Sequence, residues 1–288
     1  MSGSDMPAPG HCRKLDAVGF ATINGYPLRF RIEGDGPLVV FGHGLMGSIE
    51  QIDENAGPLN RLLERVRVLV YDARGHGQSG GPDADAGYTW ETLGCDMSAL
   101  IEFAGEDSAI IGGASMGAAT ALWVALERPA QTRALALMMP PPLGPASLRG
   151  DDERRAIQTL DLIGAAVQNF GVEKTVELAQ NFPGFAATPE EAQQRAQWLR
   201  EQNPLTLRHA IRGLVAAPGH DPEAYRGIHV PALVLAHEGD GLHPVRSAQL
   251  LKETIPDCRL LVAPSPDYWL LHPDELRAEF ESFLDRVL

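Results

Sequence analysis

Six short apolar runs constrain this chain more than any other feature. They are LVVFGHG (38–44), VRVLVYD (66–72), SAIIGGAS (108–115), ALALMMP (134–140), PALVLAH (231–237) and CRLLVAP (258–264). Runs this short and this uniformly apolar are what strands need when helices cover both sides of a sheet. Helical patterns lie between them. In TWETLGCDMSALIEFAG, Leu93, Met97, Leu100, Ile101 and Ala104 share one face. MGAATALWVALERP starts directly after an apolar run and stops at a proline. VRSAQLLKETIP and PDELRAEFESFLDRVL close the series. The alternation predicts an α/β fold: a mostly parallel sheet flanked by helices. Two alternating stretches precede it, FATINGY and LRFRIEG, joined through Asn24-Gly25, a strong hairpin signal.

The alternation breaks between about 141 and 225. PPPLGP gives a rigid exit, and four helical segments follow with no strand among them: 151–170, 172–181, 189–202 and about 205–216. TPEEAQQRAQWLRE has a Thr cap and early acids, as a helix start should. A helical insertion into a parallel sheet sits over the carboxyl ends of its strands, where such sheets bind ligands. The expected organisation is therefore a flexible tail over 1–14, a core made of 15–140 and 226–288, and a cap, or lid, over 141–225. Met138, Met139, Phe170, Phe182, Phe185 and Trp198 are candidates to line an apolar pocket beneath the cap.

Composition narrows the partners. The net charge of −14 disfavours nucleic acid and anionic membrane, and no apolar run approaches the roughly 20 residues of a membrane span. Cys12, Cys95 and Cys258 are odd in number, widely spaced and without a C-x-x-C pair, against both a disulfide framework and a zinc site. With no secretory signal visible at the start, a cytoplasmic location is expected. No metal or cofactor constellation stands out. His237, Glu238 and Asp240 are neighbours in sequence, but strand alternation should split them. The expected partner is a small-molecule substrate, and the oligomeric state is open.

Chemistry concentrates in GGASMGAAT, which reads G-x-S-x-G at Gly113, Ser115 and Gly117. The pattern falls between an apolar run and a helix, the context in which a strained turn lifts a serine hydroxyl above a sheet at a helix N-terminus. The bland alternative is a small-residue turn capped by a serine. After the third strand comes FGHGLMGS, whose His43-Gly44 turn would aim the amide of Leu45 at the serine, with the amide of Met116 as second donor to an oxyanion. His43 reads as a structural hydrogen-bonder. In YDARGHGQSGGP nothing is a convincing nucleophile or ligand, and His76 reads as structural too.

These motifs together resemble the α/β-hydrolase superfamily, in its branch of esterases, enol-lactone hydrolases and cofactor-free haloperoxidases. The likeness spans residues 16–140 and 226–288. It includes VPALVLAHEGDGLHPVRSAQLL, similar to the family stretch that carries a triad acid, so the resemblance implies that role for Asp240, four residues before Pro244. The competing reading of Asp240 is a turn residue in EGDG. The resemblance next implies a histidine about seven residues before the last helix, which begins at Pro273-Asp274-Glu275. Counting back reaches Pro266, or Asp267 with one residue deleted, and neither is an imidazole.

Three residues compete for the vacant role. His272 lies in the right loop but five or six residues late, and is taken as the candidate base. His243, three residues after Asp240, could point into the pocket, but reads better as an exposed loop histidine. Asp267 could stand beside Asp240 as a replacement for the usual histidine, the two carboxyls sharing a proton. The leading functional expectation is a serine hydrolase for a small ester or lactone, with Ser115 as nucleophile, Asp240 as acid and His272 as base. The alternatives are a non-hydrolytic enzyme of the same fold (a cyclase, lyase or decarboxylase) and a non-catalytic small-molecule binder.

Overall fold

The computed structural model describes residues 17–55, 64–179, 186 and 189–288. The tail expected over 1–14 lies outside the described residues, as do Phe182 and Phe185. Strands β1 (Ala17–Ile23) and β2 (Tyr26–Gly34) form the expected hairpin, with Asn24 and Gly25 both at positive φ, 46° and 87°. A two-residue turn of that hand matches the twist of the strands it joins.

The remaining strands are β3 (Leu38–Gly42), β4 (Arg67–Tyr71), β5 (Ala109–Ala114), β6 (Thr132–Met138), β7 (Ala232–His237) and β8 (Cys258–Ala263). They form one eight-stranded sheet in the order β1-β2-β4-β3-β5-β6-β7-β8. The β1–β2 and β2–β4 pairs are antiparallel, and all others are parallel. The chain leaves β3 toward β4 on one side, then crosses back to β5 on the other. That reversal opens a crevice at the carboxyl ends of β3 and β5, the place where open α/β sheets take ligands.

Alternation along the strands explains why their sequences are apolar throughout. Val40, Leu69, Ile111, Leu135 and Val234 face one core, shared with α2 (Trp90–Phe103), α3 (Met116–Glu127) and α7 (Val245–Thr254). Val39, Val68, Val70, Ile110 and Leu233 face the other, against α1 (Ile49–Asn55) and Leu276, Phe280 and Phe283 of α9 (Pro273–Val287). Side chains on both faces leave water, so polar alternation would cost stability on either side. A short helix α8 (Tyr268–Leu271) precedes α9.

Between β6 and β7 the chain is helical: α4 (Asp151–Ala179), α5 (Pro189–Glu201) and α6 (Pro204–Ala216). Gly171 breaks α4 with φ 78° and ψ 173°, so two helical segments meet end to end at the boundary the sequence suggested. The insertion has a core of its own, with Ile163, Val167, Val176, Leu199, Leu207 and Ile211. Met46, from the turn after β3, inserts into it. Polar ties fix the insertion to the loop after β4: Gly77 N–H donates to Gln202 Oε1 (3.0 Å) and Thr206 Oγ1–H to Gly75 O (2.9 Å). His209 bridges Asp85 (2.6 Å) and Asp83 (2.9 Å). Phe170 does not line a pocket but is 62% exposed. Among the described residues no helix is long and apolar enough to cross a membrane.

The loop after β4 is a brace. Asp72 is fully buried; its Oδ1 accepts Ile49 N–H and its Oδ2 accepts Gln78 N–H, both at 2.8 Å. Arg74 grips Asp96 of α2 through two bonds of 2.6 Å. His43 donates from Nδ1 to Gly44 O (2.7 Å) and accepts Ala73 N–H at Nε2 (2.9 Å), tying the turn after β3 to this loop. His76 donates to Arg74 O, and its Nε2 is buried without a partner. Both imidazoles are structural, as their surroundings in the sequence suggested.

Burial holds the pKa of His43 at about 4 and that of His76 at about 3. In the unfolded chain both would take up protons as pH falls through about 6.5, while the folded protein refuses them. Stability is therefore complete above about pH 6.5 and declines below it, until the folded-state values are passed. Urea midpoints between pH 7.5 and 5 should fall, and His76→Asn should flatten the slope. An unchanged slope in that variant would show that His76 does not contribute.

Candidate active site

Ser115 stands where β5 ends and α3 begins, at φ 51° and ψ −109°. An L-residue reaches this region only under strain, at a cost of roughly 1–3 kcal/mol, and it persists here because neighbours over-determine it. Ser115 N–H donates to Met138 O (2.9 Å), and Gly117 N–H donates to His43 O (3.0 Å). A β-carbon at Gly117 would lie 2.2 Å from Gly42 O, and one at Gly113 would lie 2.4 Å from the same atom. The two glycines of the motif are the condition for β3 and the elbow to touch.

The turn after β3 runs beside the serine. A β-carbon at Gly44 would lie 3.6 Å from Ser115 Cβ. Gly47 N–H closes the turn onto Gly44 O (3.0 Å), with Met46 at φ 68°. Packing of Met46 into the core of the helical insertion offsets that strain. Among the described residues, the amides of Leu45 and Met116 find no hydrogen-bond acceptor. Met116 N–H is the first of α3, where unpaired amides and the helix dipole favour negative charge.

An imidazole reaches Ser115, and it is that of His243. His243 Nε2 lies 2.8 Å from Ser115 Oγ, and His243 Nδ1 lies 2.6 Å from Asp240 Oδ2. The sequence reading of His243 as an exposed loop residue is corrected: its side chain is 14% exposed. Its placement follows from Asp240 itself. Asp240 Oδ1 accepts Leu242 N–H (2.8 Å) and His243 N–H (3.2 Å), folding the loop so that the residue three positions on swings back to Oδ2. Burial alone would raise the Asp240 pKa. The His243 ring, aided by Arg195 and the Leu242 amide, outweighs it and holds the carboxyl well below the usual carboxylate range.

His272 and Asp267, put forward from the sequence, are placed elsewhere. His272 is 46% exposed, stacks on the Tyr268 ring with centroids 4.3 Å apart, and pairs with Glu275 (3.1 Å). As the residue before α9 it is held by that helix start, while the place beside Ser115 Oγ belongs to His243. Asp267 is exposed and accepts a hydrogen bond from Ser265 Oγ (2.6 Å). Pro266 packs toward the loop bearing Asp240: a β-carbon at Gly239 would lie 3.8 Å from its Cδ. His237 does come near Asp240, its Nε2 3.6 Å from Oδ2 and 3.2 Å from Met139 Sδ, so β7 does not separate the pair as alternation suggested. Strand alternation ends at His237, and the turn brings Asp240 back over it. Among the described residues, no group of three or more His, Cys, Asp or Glu is disposed to hold a metal ion.

The strain at Ser115 can be measured. Ser115→Gly and Ser115→Ala lose the same hydroxyl, but only glycine adopts φ 51° freely. The glycine variant should be the more stable by about 1 kcal/mol in urea unfolding, net of its greater unfolded-state entropy. Equal stability would show the elbow to be unstrained.

Residues 37–272 match the family described as alpha/beta hydrolase fold. A 2-hydroxy-6-oxo-6-(2'-aminophenyl)hexa-2,4-dienoic acid hydrolase from Metapseudomonas resinovorans is 26% identical over 284 residues, covering 93% of this chain and 90% of that one. A 2-(acetamidomethylene)succinate hydrolase from Mesorhizobium japonicum is also 26% identical over 284 residues, covering 95% of each chain. Among solved structures, a carboxylesterase from Nitrososphaera gargenis superposes with a TM-score of 0.77 at 19% identity, covering 93% of this chain and 98% of that one. An enol-lactonase from Burkholderia xenovorans superposes with a TM-score of 0.74 at 20% identity, covering 92% and 99%. With the matched region running from before β3 to the start of α9, the chain belongs to the alpha/beta hydrolase fold family.

Proposed function

We propose that the protein is a serine hydrolase for a small ester or lactone, with Ser115 as nucleophile, His243 as base and Asp240 as the acid that orients it. The observation that carries the reading is the continuous relay from Ser115 Oγ through His243 to Asp240, with links of 2.8 and 2.6 Å. His243 Nε2 accepts the hydroxyl proton as Oγ attacks the carbonyl carbon. Asp240 fixes the tautomer with the proton on Nδ1 and stabilises the imidazolium that forms. The amides of Leu45 and Met116 receive the charge that develops on the carbonyl oxygen, a contribution of several kcal/mol in sites of this type. The imidazolium then protonates the leaving alcohol. A water molecule, deprotonated by the same ring, releases the acid and restores the serine.

One observation favours a substrate that carries a carboxylate. The names of two curated relatives specify acids, a hexadienoic acid and a substituted succinate.

Hydrolysis of p-nitrophenyl acetate and labelling by a fluorophosphonate test the reading. His243→Ala should lower kcat by on the order of 10³-fold or more and abolish labelling, while His272→Ala retains both. Labelling that survives in His243→Ala would refute the assignment of the base. Turnover of a substrate without labelling would favour non-hydrolytic chemistry, and ligand binding with neither would favour a binder.

A further inference from the structure

Acid and base share one short segment, 240–243, which runs through Pro244 directly into α7. A displacement of the first turn of α7 therefore moves both groups relative to Ser115. That turn is held from the helical insertion by a buried carboxyl group, Glu153, at the third position of α4. Glu153 is 2% exposed.

Part of what Glu153 does is local. Its Oε2 accepts Gly150 N–H (2.7 Å), the reach-back of a residue at this position that satisfies an amide at the helix start. Such a bond needs only one oxygen and is usually made at the surface. Here the second oxygen crosses to another element: Oε1 accepts Ser247 Oγ–H (3.2 Å), and Ser247 is fully buried in the first turn of α7. Arg246 adds an ion pair, with Nε 3.5 Å from Glu153 Oε2. Its side chain lies over Gly150, whose β-carbon would be 3.5 Å from Arg246 Cδ. On the insertion side, Arg149 donates to Gly144 O (2.9 Å). Ser247 N–H donates in turn to Pro244 O (2.9 Å), so the hydroxyl held by Glu153 is one backbone bond from the residue that follows His243.

We propose that Glu153 is a positioning residue for the reaction: through Ser247 it fixes the start of α7, and with it the reach of His243 to Ser115. The proposal rests on the triad reading of Ser115, His243 and Asp240. It makes the helical insertion part of the catalytic alignment as well as a cover. The pressure for such an anchor is specific to this arrangement, because no second loop carries the base independently of the acid. Misplacement of a reacting group by about 1 Å can cost roughly a hundredfold in rate, so a loosened anchor acts on kcat before it acts on folding.

Ser247→Ala separates the two roles of Glu153, since it leaves the bond to Gly150 N–H intact. In Ser247→Ala, kcat for p-nitrophenyl acetate and the fluorophosphonate labelling rate should fall about tenfold, with KM within about twofold. Glu153→Ala should lower kcat at least as far, and the double variant should be no slower than Glu153→Ala alone, because both remove the connection to Ser247. Effects that multiply in the double variant, or a kcat within about twofold of the parent in both singles, would overturn the proposal. A readout independent of turnover is the downfield proton resonance of His243 Nδ1–H, assigned by its loss in His243→Gln. It should broaden or shift upfield in Ser247→Ala, and an unchanged resonance would overturn the anchoring. If the parent protein neither labels nor turns over ester, the triad reading fails, and the resonance alone still decides whether Glu153 and Ser247 position His243.

Discussion

The site depends on how one carboxylate distributes its hydrogen bonds. Asp240 Oδ1 collects two amides of its own loop, and Oδ2 takes the ring of His243. Without the first pair, the loop would have no reason to turn back within three residues. Without the second, the imidazole would have no fixed tautomer. A single buried group therefore shapes the backbone and orients the side chain. Each charge-assisted bond of this kind is worth more than a neutral one, which lets the cluster withstand its removal from water.

Everything else in the crevice serves close approach. Strands β3 and β5 stay paired up to Gly42 opposite Gly113, and Gly42, Gly113 and Gly117 let the elbow meet the turn after β3 without intervening side chains. The strain at Ser115 and at Met46 is held by different parts of the molecule, the first by the sheet and α3, the second by the core of the helical insertion. Because Met46 and Ser247 are both gripped by the insertion, that element touches the turn bearing the Leu45 amide and the helix start that follows Asp240 and His243.

The architecture was legible in the sequence because both faces of the central strands are dry. Runs such as LVVFG and ALVLAH can satisfy no other environment, and their edges fall within one or two residues of the observed strands. The elbow at Ser115 was legible because steric crowding leaves glycine no substitute at 113 and 117. The place of His243 was not legible by position. Family spacing points to the loop before α9, where Pro266 stands and His272 is drawn outward by Tyr268 and Glu275. The signal that could have found His243 was local: an aspartate whose side chain closes a turn brings the third residue after it back within reach, as in Asp240-Gly241-Leu242-His243. Glu153 showed only the mark of a helix start, since its partner Ser247 is 94 residues away.

The most direct measurement is a crystal structure of the protein with a phosphonate covalently attached to Ser115. The phosphoryl oxygen should lie ~2.7–3.1 Å from the amide nitrogens of Leu45 and Met116, with His243 Nε2 facing the ester oxygen and its Nδ1 still on Asp240. A phosphonate found with its oxygen turned away from those amides, or with His243 withdrawn and another side chain against the adduct, would contradict the relay.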